Sequence, residues 1–173
     1  MNRTHVISSG ASFFFQSSGN RAVLGLHGYT GYPHDLRHIA SVLHAEGYAV
    51  HVPRLPGHAT NAADFLKSSA HDWLTRAYNA YLDLCVTYEE VHVLGFSMGG
   101  LLALLLAARC DIEKLILIAP ALSVRDKNIR YTPLLWPFLH KIRNNPVFNG
   151  SSADQKIMYE EYWKWSYIKN VAQ

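Results

Sequence analysis

The sequence predicts an α/β fold with a mostly parallel sheet, on three observations. Short apolar runs rich in aliphatic and β-branched residues alternate with longer stretches of helical periodicity, the order expected of βαβ units. One run, Leu115-Ile116-Leu117-Ile118-Ala119, is continuous in its apolar character, as a strand covered on both faces would be. A glycine-flanked serine, Gly95-Phe96-Ser97-Met98-Gly99, stands between another run and the helix that follows it.

Taken in order, residues 12–16 form a short edge strand around the Phe13-Phe14-Phe15 triplet, and residues 22–26 form the first central strand. Residues 35–45 place Leu36, Ile39, Ala40 and Leu43 on one helical stripe, and Gly47 supplies a left-handed stop. A second central strand spans 48–52. Residues 72–86 repeat the helical stripe with Trp73, Ala77, Ala80, Tyr81 and Leu84. The strand at 91–96 leads into a helix from Met98 to about Arg109 that is apolar all round, and is therefore expected to be buried on nearly every side. The strand at 115–119 follows. Beyond Pro120 the composition becomes aromatic and proline-broken, in Tyr131-Thr132-Pro133-Leu134-Leu135-Trp136-Pro137-Phe138-Leu139, and residues 158–168 form an aromatic helix. A boundary near Ala121 divides a core of residues 1–121 from a segment of residues 122–173.

The chain has 173 residues, 49% of them hydrophobic, enough for one domain with a substantial core. Its 16 basic and 13 acidic residues give a net charge of +3 without any long run of one sign, which argues against nucleic acid as a partner. No apolar stretch approaches the ~20 residues that cross a bilayer, and no signal-like core opens the chain. A cytoplasmic location fits this pattern. Cys85 and Cys110 lie in apolar helical patterns and are expected to be buried free thiols in a reduced compartment. No cofactor is expected. No metal site is expected either, since His34 and His38 are four apart without a supporting motif.

The chemistry centres on Ser97. A serine hydroxyl is a poor nucleophile unless it is held in the open and deprotonated by a base. Glycines two positions either side permit the sharp strand-to-helix turn that presents it, and the helix opening at Met98 brings unpaired N–H groups and a positive dipole end to where an oxyanion develops. A glycine-flanked serine also arises as a plain tight turn; the strand before it and the apolar helix after it favour the nucleophile. Leu26-His27-Gly28-Tyr29-Thr30-Gly31 ends another strand, where the Tyr29 N–H can serve as a second oxyanion donor. Alone, that loop reads as an ordinary turn.

With Pro53-Arg54-Leu55-Pro56-Gly57-His58 and the Asp72-Trp73 helix start, these motifs resemble the α/β-hydrolase superfamily, within it the bacterial carboxylesterase and monoacylglycerol lipase-like group. The resemblance is close over residues 20–121. It implies a three-layer αβα sandwich, Ser97 as nucleophile, Tyr29 and Met98 as oxyanion N–H donors, a small-molecule acyl ester as substrate, and residues 122–173 as the start of a helical cap. It makes the strand at 115–119 the sixth of the sheet, after which the sheet stops and leaves that strand as an open edge.

In that superfamily the nucleophile is followed by an acid and then a histidine on later strands. Here His140 is the only histidine after Ser97, and no further apolar strand follows Ala119. Asp126 with His140 has the right order but lacks strand ends to fix it; Asp111 precedes its strand and belongs at the far end of the sheet. His27 and His58 read as structural hydrogen-bonding residues near the pocket, and His38, His44 and His71 as solvated. The expectation is therefore an ester hydrolase whose acid and base lie elsewhere, in a longer product or a complementary C-terminal fragment. An inactive binding module of the same fold, or an enzyme acting on thioesters or peptides, remains open.

Overall fold

The computed structural model describes residues 6–123, 141–144, 146, 148, 150 and 152–171. Five strands form one sheet: β1 (Phe13–Phe15), β2 (Arg21–Leu26), β3 (Ala49–Val52), β4 (Glu90–Phe96) and β5 (Leu115–Ile118), in the order β1-β3-β2-β4-β5. β1 is antiparallel to β3, and every other pair is parallel. The edge strand alternates as a pleat requires. Phe13 and Phe15 lie under the Arg37 guanidinium, while Phe14 faces His51 and Tyr88 on the opposite side.

Helices cover both faces. α1 (Arg37–Ala45), entered through a 3-10 turn at Pro33–Leu36, sets Leu36 and Ala40 against Val23, Val50, Val52 and Leu94. α3 (Ala70–Cys85) and α4 (Met98–Ala107) cover the other face, where Trp73, Ala77, Leu102 and Ala103 meet Ala22, Leu24, Ala49 and Val93. Strand residues 22, 24 and 26 thus belong to one core and Val23 to the other, the period-two division that a central strand imposes.

A short helix, α2 (Ala62–Lys67), precedes α3; the sequence reading left it out. Each of the two helices starts at a side-chain cap. The Asn61 carbonyl oxygen accepts the Asp64 N–H at 3.0 Å, and Ser69 with Asp72 closes a reciprocal box at 2.9 and 3.2 Å. That box starts α3 two residues before the expected Asp72, because Ser69 is its cap.

Three expectations are corrected. α4 is not buried on nearly every side: it packs against β2, β4, β5 and α3, yet Leu105 is 47% exposed. β5 is only half covered, since it ends the sheet order and Ile116 is 38% exposed. Cys85 is exposed and Cys110 half-buried, both as free thiols, because the stripe of α3 that faces the core runs through Tyr81 and Leu84 and leaves Cys85 outside it.

Beyond residue 140 the chain forms β6 (Lys141–Arg143), α5 (Ala153–Met158), a π-helical turn at Tyr159–Trp163, β7 (Trp165–Tyr167) and α6 (Ile168–Val171). β6 and β7 pair antiparallel as a separate ribbon. Strands therefore do follow Ala119, too short and polar to read as apolar runs, and the expected helix at 158–168 gives way to a strand at its aromatic end. Residues 131–139, Asp126 and His140 lie outside the described residues. Among the described residues no helix is long and apolar enough to cross a membrane.

Candidate active site

Ser97 occupies the junction of β4 and α4 with φ 54° and ψ −117°, a left-handed backbone that costs a non-glycine residue about 1–3 kcal/mol. Its neighbours make the turn possible. A methyl group on Gly95 would stand 2.6 Å from Gly100 Cα, and one on Gly99 would overlap the Leu26 carbonyl, so only glycine lets α4 close down on the ends of β4 and β2. The strained residue is held from both sides: its N–H donates to the Ile118 carbonyl at 3.0 Å, and its carbonyl accepts the N–H groups of Gly100 at 3.0 Å and Ala121 at 3.2 Å.

The loop after β2 lies directly against it. β2 and β4 are in register from Arg21↔Glu90 to Leu26↔Gly95, so their carboxyl ends deliver residues 27–31 and Ser97 to one place. A methyl group on Gly28 would be 3.2 Å from Ser97 Cβ. The structure thus brings together Ser97, Met98 and Tyr29, the three site residues expected from sequence. Met98 opens α4, where the first N–H groups have no partner within the helix. Tyr29 turns its ring onto Phe65 and Trp73, at centroid distances of 5.3 and 6.4 Å, and its hydroxyl donates to the Tyr167 carbonyl at 3.3 Å. Burial raises the Tyr29 pKa, which keeps that hydroxyl protonated.

Behind the loop lies a histidine and aromatic cage. His27 and His58 are fully buried, their rings edge-on at 4.9 Å. The His27 Nδ1–H donates to the Gly28 carbonyl at 3.1 Å, and Nε2 accepts the Leu55 N–H at 3.1 Å, which fixes the neutral tautomer and ties the Gly28 loop to the loop after β3. Burial lowers the His27 pKa to about 4, against the Gly28 bond and aided by the Arg54 charge. His58 is held well below its usual range, again by burial first and then by His27. Its Nδ1 faces the Pro56 carbonyl at 3.1 Å, as does the Trp73 indole N–H at 3.0 Å.

These rings therefore act in the scaffold, as the sequence suggested, and no described histidine hydrogen-bonds the Ser97 hydroxyl. His38, His44 and His71 are exposed, and Asp111 lies exposed ahead of β5, its carbonyl accepting the Tyr81 hydroxyl at 2.6 Å.

The wall over Tyr29 comes from the segment 122–173 that the resemblance implied as the start of a cap, but its contacts were not legible in the sequence. Residues 152–171 pack across the loop and helix at 57–68: the Tyr162 hydroxyl accepts the Thr60 N–H at 2.8 Å and donates to the Gly57 carbonyl at 3.0 Å. The Glu161 carboxylate accepts the Ala62 N–H at 3.0 Å, and the Asn170 amide reaches the Phe65 and Ser68 carbonyls at 3.1 Å each. Phe65 is fully buried among Tyr29, His58, Trp73, Tyr162 and Tyr167. The only sequence signal for this contact was the shared aromatic content of the two segments.

Known proteins give the same picture of the fold. The chain is 38% identical over 107 residues to the thermostable monoacylglycerol lipase of Bacillus sp. strain H-257, a match covering 62% of this chain and 43% of that protein. It is 28% identical over 143 residues to a carboxylesterase of Bacillus subtilis strain 168, covering 82% of this chain and 56% of that one. The chain thus spans about half the length of these curated relatives. Among solved structures, one from the work on the metagenome-derived lipolytic enzymes LipS and LipT superposes with a TM-score of 0.82 at 22% identity, over 97% of this chain and 67% of that one. The monoacylglycerol lipase of Paleococcus ferrophilus superposes with a TM-score of 0.68 at 14% identity, over 93% and 66%. The model of the alpha/beta hydrolase family matches residues 23–170, and the chain belongs to that family.

Proposed function

We propose that this chain carries the nucleophile half of a serine esterase site acting on small-molecule carboxylic esters. The observation that carries the reading is Ser97 in a left-handed turn between β4 and α4, with the Gly28 loop packed against its Cβ. Ser97 Oγ attacks the ester carbonyl carbon. The carbonyl π electrons move onto oxygen, and that oxyanion lies against the Met98 and Tyr29 N–H groups, fixed dipoles that need no reorganisation. Collapse expels the alcohol and leaves an acyl-Ser97, which water hydrolyses. The names of the two Bacillus relatives support an ester as the substrate class. Residues 152–171, over Tyr29 and Phe65, act as part of the cap that shapes the acyl pocket.

The attacking hydroxyl must give up a proton, and the described histidines do not take it: the rings nearest in motif, His27 and His58, are turned to backbone. The base role therefore falls to an acid and histidine of a longer product or of a complementary C-terminal fragment, the latter without support from the comparisons, and Asp126 with His140 is the internal pair that a variant can test. The test is labelling by a fluorophosphonate probe together with hydrolysis of p-nitrophenyl esters by the wild-type chain, Ser97→Ala and His140→Ala. Labelling and turnover lost in Ser97→Ala support the assignment, and loss in His140→Ala names the base. Turnover unchanged in Ser97→Ala overturns it. A folded wild-type chain that labels at Ser97 without turning over is the nucleophile half lacking its base, whereas one that does not label at all replaces the reading with a binding module of the same fold.

A further inference from the structure

Arg54 and Arg76 line one cleft of about 620 Å³ together with Val6, Pro56, Gly57, Thr60 and Asp64, and Ser97 is not part of its wall. The two arginines come from different elements. Arg54 follows β3 and so emerges at the carboxyl end of the sheet, whereas Arg76 stands on α3. Both are half-buried. Arg54 is anchored by its Nη1–H, which donates to the His58 carbonyl at 3.0 Å, leaving its other donors free to turn to the cleft.

Among the described residues neither guanidinium forms an ion pair. On a helix the natural partner of Arg76 is the carboxylate four residues earlier, Asp72. That carboxylate instead accepts the N–H and hydroxyl of Ser69, at 2.9 and 2.7 Å, to close the helix cap. Among the described residues the one ion pair is Lys164 with Glu160. Two guanidinium charges line the cleft against the single carboxylate of Asp64, so the recess keeps a net positive charge that an anion from outside can meet. Asp64, on the same wall, accepts the Asn61 amide at 3.2 Å and keeps capacity for another donor.

We propose that this cleft binds a small soluble phosphomonoester, its phosphate held by Arg54 and Arg76 and a hydroxyl or ammonium group on the same molecule directed to Asp64. The planar guanidinium presents paired N–H donors that match phosphate oxygens. Asp64 selects against a flat anionic surface such as a membrane, which would press its own charge against the carboxylate. The inference does not rest on the reading of Ser97.

The experiment is titration calorimetry of the full chain with inorganic phosphate and with O-phosphoethanolamine, for the wild type, Arg76→Gln and Arg54→Lys. Arg76 makes no described hydrogen bond, so Arg76→Gln is expected to fold with unchanged circular dichroism. Phosphate is expected to bind with a Kd of ~1 mM or tighter, each variant to bind about tenfold more weakly, and phosphoethanolamine to bind more tightly than phosphate. Equal affinity in Arg76→Gln and wild type overturns the site. So does the absence of phosphate binding by ~10 mM, or binding seen only with phosphatidic acid vesicles and not with either soluble compound. Repeating the titration on Ser97→Ala separates the outcome from that of the esterase reading, because the binding readout does not pass through the serine.

Discussion

Lowering the pH from about 7.5 to about 4 is expected to remove about 3 kcal/mol of folding stability through His27 alone. The ring is fully buried, with both nitrogens committed to backbone groups. In the unfolded chain it takes up a proton near 6.5, whereas in the folded chain burial delays this to about 4. Between those values the unfolded state holds more protons than the folded one, so stability falls as pH falls. The contribution is fully present above 6.5 and is lost as the pH drops towards 4. A 1.36 kcal/mol interval per pH unit gives about 3 kcal/mol across the window, or roughly 10 °C in Tm for a chain of this size. The structural cause is specific: a proton on Nε2 would confront the Leu55 N–H, a donor facing a donor. His58 acts in the same direction, since burial and its neighbour His27 both hold it neutral. The assay is urea unfolding of the wild type and His27→Asn at both pH values. The variant cannot titrate, and the carboxylates common to both proteins cancel in the difference. Its deficit relative to wild type is expected to shrink by about 3 kcal/mol at the lower pH. A deficit that stays constant, or a His27 NMR titration midpoint near 6.5, would refute the reasoning.

Gly99→Ala is expected to cost more than about 3 kcal/mol or to prevent folding, because its methyl group would overlap the Leu26 carbonyl where backbone meets backbone. Gly47→Ala is the control: its φ of 88° is unfavourable, but nothing lies within 4 Å, and the loss should be nearer 1–2 kcal/mol by urea unfolding. Tyr162→Phe leaves the Thr60 N–H and the Gly57 carbonyl without their shared partner, so a loss of about 1–3 kcal/mol is expected. Limited proteolysis should then cut within residues 152–171 earlier than in wild type, and an unchanged cleavage rate would show that this bond does not hold the segment down.

The sheet was legible because its signal is local. Alternating apolar runs and 3.6-residue stripes depend on neighbours in sequence, and they placed β2 to β5, α1, α3 and α4 within a few residues of their observed ends. The edge strand was legible for the same reason. The turn at Ser97 was legible too, because glycines two positions either side of a residue between strand and helix permit a sharp reversal, and Ser97 has the positive φ of 54° that such a turn takes.

What failed was either very short or read from composition alone. α2 shows in sequence only as Asn61 three before Asp64, and the α3 boundary only as Ser69 three before Asp72; both are caps that apolar periodicity does not register. An all-apolar α4 and β5 looked fully buried, yet burial depends on what stands opposite, and Leu105 and Ile116 are left exposed to 47% and 38%.

The sequence by itself determined the fold class, the strands of the central sheet and the sharp turn at Ser97 between strand and helix, since each is written within a few consecutive residues. Only the tertiary structure decided what surrounds that serine. The Gly28 loop against its Cβ, the His27 bond to Leu55 across 28 positions and the Tyr162 hydroxyl on Thr60 across 102 are contacts between segments that share no local pattern. They arise because parallel strands in register deliver distant loops to one end of the sheet, a consequence of packing that no window of neighbouring residues contains.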